Sequence, residues 1–87
     1  MNKYARIPDF ILDLHGFTIR EAEKELEVIF RNKSYTHVRV ITGKGTQRET
    51  GPILKTFVRG YLLSRGIHYN PAKQQDGGEG AVEVFLK

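Results

Sequence analysis

The stretch "ILDLHGFT", residues 11–18, decides how the rest of the chain is interpreted. Apolar residues alternate here with Asp13 and His15, and this alternation predicts a strand over residues 10–15. Because successive side chains of a strand point to opposite faces, the carboxylate and the imidazole share one face, while Leu12 and Leu14 share the other. Gly16 follows at once, so the two titratable groups are expected beside a turn at the end of the strand.

A helix follows in "FTIREAEKELEVIFRNK", residues 17–33. Thr18 and Glu21 have the S/T-x-x-E spacing of a capping box, which satisfies two backbone N–H groups at a helix start. Apolar residues recur at helical spacing and predict one buried face. They are Ile19, Ala22, Leu26, Ile29 and Phe30.

The remaining elements follow from the same patterns. "THVRVIT" at 36–42 predicts a strand, and Pro52 suits the first turn of a second helix that ends at Gly66. "IHYNPAK" predicts an edge strand, because Pro71 cannot donate to a ladder. "AVEVFLK" predicts the last strand. The order β-α-β-α-β-β indicates an α/β fold, in which two helices pack on a four-stranded mixed sheet.

Length and composition fit one small domain spanning residues 1–87. The chain has no cysteine, which excludes disulfides and thiolate metal sites. It has neither a signal-peptide pattern nor an apolar run of the roughly 20 residues that span a bilayer, so we expect a cytoplasmic protein with no membrane partner.

Charge is distributed unevenly along the chain. Residues 18–33 carry four basic and four acidic groups, whereas residues 43–73 carry six basic groups against Glu49 alone. A one-sided positive segment attracts polyanions, most commonly nucleic acid. The plain alternative is that these basic residues only keep the protein soluble.

Asp13 and His15 form the first candidate site. The imidazole can act as a general acid or base near neutral pH, and the carboxylate can orient it or hold a hydrated divalent cation. The plain alternative is that Asp13 caps a turn and His15 is a satisfied structural residue.

"TGKG", residues 42–45, forms the second candidate site. Gly43 and Gly45 allow close approach of the backbone to a ligand, and Lys44 supplies positive charge. The pattern is not that of a P-loop, so no nucleotide cofactor is expected. A tight connection between strand and helix is the alternative. If the first two strands are parallel neighbours, both motifs meet at one end of the sheet, where ligands of open α/β sheets bind.

Four motifs together resemble the small MutS-related, or Smr, domain family. They are "LDLHG" at 12–16, "EA" at 21–22, "TGKG" at 42–45 and "GGEGAVEVFL" at 77–86. The resemblance runs from about residue 10 to residue 87, which leaves residues 1–9 as an N-terminal extension. It implies a two-layer α/β sandwich similar to the C-terminal domain of bacterial translation initiation factor three.

The resemblance also implies nucleic-acid binding and endonuclease activity that nicks DNA or cleaves RNA, including branched or structured forms. The family's D-x-H motif maps onto Asp13 and His15, and its H/T-G-x-G motif maps onto residues 42–45, with Thr42 where many members have histidine. A role in DNA repair or recombination would need other chains, since no MutS-like ATPase is present.

On this interpretation Asp13 and His15 are catalytic, with Asp13 also a candidate ligand of Mg²⁺ or Mn²⁺. The predicted phosphate-binding residues are Thr42, Gly43, Lys44 and Gly45, and the predicted contacts to the flanking backbone are Arg48, Lys55, Arg59 and Lys73. The alternative function is a non-catalytic module that binds DNA, RNA or a ribosome, and a third is a protein-interaction domain with no nucleic-acid role. A metal-free acid/base route on RNA is also open.

Overall fold

A computed structural model describes residues 7–32, 34–43, 51–74 and 78–86 of the chain. Its elements in chain order are β1 (Phe10–Asp13), α1 (Ile19–Arg31), β2 (His37–Ile41), α2 (Gly51–Ser64), β3 (His68–Pro71), a short 3₁₀ turn (Gly78–Gly80) and β4 (Ala81–Phe85). The predicted order β-α-β-α-β-β is therefore confirmed.

The four strands form one mixed sheet in the order β1-β2-β4-β3. β1 pairs parallel to β2, while β4 runs antiparallel to both of its neighbours, β2 and β3. β1, β2 and β3 consequently point the same way, and their carboxyl ends lie at the same end of the sheet. The edge position predicted for β3 from Pro71 is confirmed.

One face of the sheet carries the core. Val38 and Val40 of β2 stand opposite Val84 and Val82 of β4, and all four side chains are buried. The buried faces of both helices belong to the same apolar cluster, so α1 and α2 cover this one face and the fold has two layers. The helical members of the cluster are Ala22, Leu26, Ile29, Leu54, Val58, Tyr61 and Leu62.

The starts and ends of the helices follow the predicted signals. The Thr18 hydroxyl accepts a hydrogen bond from the Glu21 amide, and the Glu21 carboxylate accepts one from the Thr18 amide. Gly66 follows α2 with φ of 67°, as expected for a left-handed C-terminal cap. The sequence predicts an apolar face for α2 that comprises Ile53, Leu54, Phe57, Val58, Tyr61 and Leu62. Ile53 departs from this prediction, since it is 54% exposed.

β1 is shorter than the predicted strand over residues 10–15, since it ends at Asp13. The Phe17 amide donates to the Leu14 carbonyl at 2.9 Å, and Gly16 has φ of 82°. These are the hydrogen bond and the positive φ of a type II turn, which takes His15 out of the strand. Leu12 and Leu14 are nevertheless both buried, while Asp13 and His15 are exposed as predicted.

The segment before β1 also contacts the sheet. The Asp9 carboxylate accepts hydrogen bonds from the Thr36 amide, the Thr36 hydroxyl and the His37 amide. Because these bonds favour the ionised carboxylate, above all the bond from the Thr36 amide, the pKa of Asp9 lies below its ordinary value. Asp9, which the sequence assigned to the extension, thus anchors the start of β2. Within the described ranges no helix is long and apolar enough to cross a membrane.

Candidate active site

Asp13 and His15 contact each other at the carboxyl end of β1. The His15 Nδ1 atom lies 2.7 Å from Asp13 Oδ1, and the His15 backbone amide donates to the same oxygen at 3.1 Å. One carboxylate oxygen therefore fixes both the backbone and the ring of His15. The predicted pairing of these two side chains is present, although the turn rather than the strand creates it.

The electrostatics of this pair favour an ionised carboxylate. The hydrogen bond from the His15 ring is the largest influence and holds the pKa of Asp13 below its ordinary value, against a smaller opposing effect of burial. An ionised Asp13 can only accept at Oδ1, so Nδ1 carries the proton of this bond and Nε2 is the second ring nitrogen left for other chemistry. The His15 side chain is 72% exposed, which makes Nε2 accessible to a large substrate.

The carboxyl end of β2 adjoins the pair. The Leu14 amide donates to the Ile41 carbonyl, which continues the β1–β2 pairing up to the turn. A methyl group built on Gly43 would lie 3.6 Å from the His15 Cβ atom. The two motifs that the sequence expected at one end of the sheet are therefore neighbours in the described residues Asp13, His15, Thr42 and Gly43.

Thr42 and Gly43 are themselves bonded to the start of β4. Both backbone amides donate to the Gly80 carbonyl, at 2.7 and 3.1 Å. Thr42 is 2% exposed, and its hydroxyl lies within hydrogen-bond distance of the carbonyls of Gly43 and Gly80. In this arrangement the two residues join β2 to β4 beside His15, and a contact of either one with phosphate stays a prediction.

The other predicted site residues fall into two groups. Lys44, Gly45 and Arg48 lie outside the described residues. Lys55 and Arg59 lie one helical turn apart on α2, while Lys73 lies two residues beyond β3 and is exposed. Because β3 is parallel to β1, Lys73 lies at the same end of the sheet as Asp13 but at the opposite edge.

The donor set does not form a metal centre by itself. Among the described residues no three His, Cys, Asp or Glu side chains are grouped so that they could hold an ion. Asp13 offers one carboxylate, one oxygen of which already accepts two hydrogen bonds from His15. Mg²⁺ usually takes several oxygen ligands, so Asp13 alone does not provide a site for it.

Sequence reasoning missed a second charged cluster, which lies on the sheet face opposite the helices. Glu83 of β4 accepts from Arg39 Nε at 2.8 Å and lies 2.6 Å from His37 Nε2, with all three side chains nearly buried. His37 also stacks on Phe85 at 4.9 Å between ring centroids. The signal was a lone glutamate between valines in "AVEVF", but its partners are 44 and 46 residues away and follow only from the strand register.

The fold and the site together define a class of small two-layer α/β domain with an Asp–His pair beside a Thr-Gly segment. Similarity to known proteins identifies this class. The Smr domain family model matches residues 12–87. The chain belongs to the Smr domain family.

Relatives and solved structures agree with this assignment. The chain is 38% identical over 81 residues to "Endonuclease MutS2" of Carboxydothermus hydrogenoformans, covering 87% of this chain and 10% of the relative. It is 31% identical over 90 residues to human NEDD4-binding protein 2, covering 93% of this chain and 5% of the relative. A Treponema pallidum protein is 33% identical over 87 residues, covering 93% of this chain and 43% of its own length. The chain thus spans less than half the length of each.

Two solved Smr domains have the same fold. The Smr domain of Thermus thermophilus MutS2 superposes with a TM-score of 0.74 and 27% identity, covering 88% of this chain and 96% of that one. The B3BP Smr domain superposes with a TM-score of 0.72 and 28% identity, covering 92% of this chain and 80% of that one.

Proposed function

We propose that this Smr domain binds nucleic acid and cleaves its phosphodiester bonds, with His15 as general acid/base and Asp13 as the residue that positions it. The contact of 2.7 Å between His15 Nδ1 and Asp13 Oδ1 carries the proposal. A carboxylate on one ring nitrogen fixes the orientation and tautomer of the imidazole and leaves the other nitrogen for proton transfer. A relative that bears the name endonuclease supports the same chemistry.

The proton transfers can be assigned to atoms. His15 Nε2 accepts a proton from the attacking oxygen, which is water or, on RNA, a ribose 2′-hydroxyl, as that oxygen forms a new bond to phosphorus. The Asp13 carboxylate stabilises the imidazolium that results. The bond from phosphorus to the leaving oxygen then breaks, and the leaving oxygen takes a proton from the imidazolium or from water.

Positive charge along residues 43–73 supports binding of a polyanion. This segment carries a net charge of +5 in sequence, with Lys55, Arg59 and Lys73 among its described members. These three side chains would contact phosphates of the backbone that flanks the cleaved bond. Lys44, Gly45 and Arg48 are proposed to bind phosphate as well, Gly45 through its backbone.

The rival proposal is a module that binds DNA or RNA without cleaving it. One observation favours it: among the described residues of the site, His15 supplies the one imidazole. Thr42 is buried and bonded to backbone carbonyls, so it is not placed to act as a second acid. A separate acid for the leaving oxygen would therefore have to come from solvent.

The test measures nicking of supercoiled plasmid and cleavage of a structured RNA, each with Mg²⁺ and with EDTA. General acid/base catalysis contributes about 10² to 10⁴ in rate, so His15→Ala should lose about that factor while its affinity for the same nucleic acid stays near wild type. Asp13→Asn should lose at least about tenfold. His68→Gln is the matched control, since His68 begins β3 at the opposite end of the sheet.

The outcomes separate the two proposals. Cleavage that persists in both His15→Ala and Asp13→Asn would overturn the assigned site. Binding without cleavage by the wild-type protein would favour the rival. Activity that survives EDTA would show that the pair works without a divalent ion.

A further inference from the structure

A cavity lies at the other edge of the sheet from the Asp13–His15 pair, between α2 and the strands β3 and β4. We call it the α2–β3 cavity. Its volume is about 110 Å³, and Lys55 and Arg59 lie on its α2 side. The remaining lining residues are Tyr69, Pro71, Gly78, Ala81 and Val82.

The cavity is chemically suited to one anionic group. Its two cations, Lys55 and Arg59, are four residues apart and therefore on one face of α2, where like charges repel by a few tenths of a kcal/mol unless an anion lies between them. Among the described residues no carboxylate is paired with either side chain. The Gly78 amide already donates to the Lys73 carbonyl, so the donor groups left among the lining side chains are those of Lys55 and Arg59 and the Tyr69 hydroxyl.

Size argues for part of a polymer rather than a free small molecule. Pockets that enclose a whole small ligand usually have volumes of about 300 to 1,000 Å³, several times that of this cavity. The half-buried Tyr69 ring and Pro71 form a largely apolar wall below the cations, which lowers the exposure of a bound anion to water. One phosphate of a longer chain fits this combination.

The position of the cavity relates it to the proposed cleavage site. Pro71 ends β3 and Ala81 begins β4, so both lie at the end of the sheet that also carries Asp13. Because the cavity is lined by both β4 and β3, the order β1-β2-β4-β3 places two to three strand spacings between it and β1, or about 10 to 14 Å at about 4.8 Å per spacing. Phosphates of one duplex strand advance about 3.4 Å per nucleotide along the axis, so this distance is about three to four nucleotides.

We propose that the α2–β3 cavity binds a phosphate of the nucleic-acid strand about three to four nucleotides from the phosphate at His15, through Lys55 and Arg59. This inference rests on the proposed function and adds to it a second, separate contact point. It gives the strand a direction across the end of the sheet, from the β1 edge to the β3 edge. It also predicts a minimum length of nucleic acid for tight binding.

The test compares two double variants that change charge equally. Lys55→Gln/Arg59→Gln removes the proposed donors, while Lys24→Gln/Arg31→Gln removes two exposed cations of α1 and serves as the control. Glutamine has nearly the helix propensity of lysine and arginine, so both proteins should fold, which circular dichroism checks. Binding is measured by fluorescence anisotropy with labelled oligothymidylates of 2 to 12 nucleotides and with a 20-base-pair DNA duplex, over a range of salt.

We expect the wild-type Kd for the oligothymidylates to fall by about tenfold or more once the strand is long enough to reach both sites. The cavity variant should lose that step, and its salt slope should decrease by about 0.7, the contribution of one phosphate contact on a single strand. The α1 variant should keep the step. Equal weakening of both variants at all lengths would overturn the cavity assignment alone, whereas failure of the wild-type protein to bind any probe would overturn the proposed function as well.

Discussion

Among the described charged residues, Glu83 should be the one whose substitution lowers the free energy of unfolding most. It lies on the central strand β4 and bonds to Arg39 and His37, with side chains that are only 10 to 14% exposed. Glu83→Gln keeps the shape and can still accept from both partners, but it removes the negative charge of a nearly buried ion pair. Breaking such a pair outright costs about 3 to 5 kcal/mol, and the hydrogen bonds that remain recover part of this, so we expect a loss of about 2 kcal/mol.

Glu83→Ala should cost more, about 3 to 5 kcal/mol, because it removes the carboxylate from a nearly buried ion pair and its hydrogen bonds. An 87-residue domain has a total stability of about 4 to 13 kcal/mol, so this variant comes close to unfolding the domain. The chain has no tryptophan, so urea unfolding is followed by circular dichroism. With a slope of about 1 kcal/mol per M, Glu83→Gln should lower the midpoint by about 2 M.

The control is Glu25→Gln on the exposed face of α1, which should change the free energy of unfolding by less than about 0.5 kcal/mol. If Glu83→Gln and Glu25→Gln shift the midpoint equally, the Glu83 cluster contributes no more than a surface charge. A change in slope instead of midpoint would point to an altered denatured state and would also contradict the reasoning.

Two further predictions concern the carboxylate before β1 and the turn after it. The pKa of Asp9 in the folded protein lies below its ordinary value, so the ionised carboxylate stabilises the fold above about pH 4. This stabilisation is lost as the pH falls through the folded pKa. Between pH 6 and pH 2.5, the urea midpoint should therefore fall less for Asp9→Asn than for wild type. Parallel curves would contradict this. Gly16→Ala should lower the thermal midpoint, because a φ of 82° costs an L-residue about 1 to 2 kcal/mol. Gly60→Ala is the control and should raise the thermal midpoint, because it removes a flexible residue from the helix α2. Shifts of the same sign would refute the assigned turn.

Sequence patterns predicted most of the fold because each element carries its own local signal. Alternation around Asp13 indicated a strand with a charged and an apolar face, and the Thr18–Glu21 spacing located the helix start to the residue. Pro71 identified the edge strand, because a missing N–H group matters only in the interior of a sheet. These inferences need no knowledge of distant parts of the chain.

Features that depend on the three-dimensional arrangement were missed. Glu83 finds its partners through the β2–β4 register, which joins residues more than 40 positions apart. The contact of the buried Thr42 hydroxyl with the Gly80 carbonyl depends on the same register, while phosphate binding at Thr42 stays a prediction. His15 was assigned to the strand because alternation continues through Leu14. The φ of Gly16 and the hydrogen bond from the Phe17 amide to the Leu14 carbonyl show that the chain turns there.

The exposure of the Asp13–His15 pair constrains how such a site could work. Side chains that are 50% and 72% exposed lie in water, where electrostatic stabilisation of a transition state is weak. An enclosed active site removes that water with its own walls, whereas this pair lies on an outer end of the sheet. The bound nucleic acid would therefore have to exclude the water itself, so cations far from the pair would matter for the rate as well as for affinity. Distant phosphate contacts, such as the one proposed in the α2–β3 cavity, would then be part of the catalytic arrangement, because they hold the strand against His15.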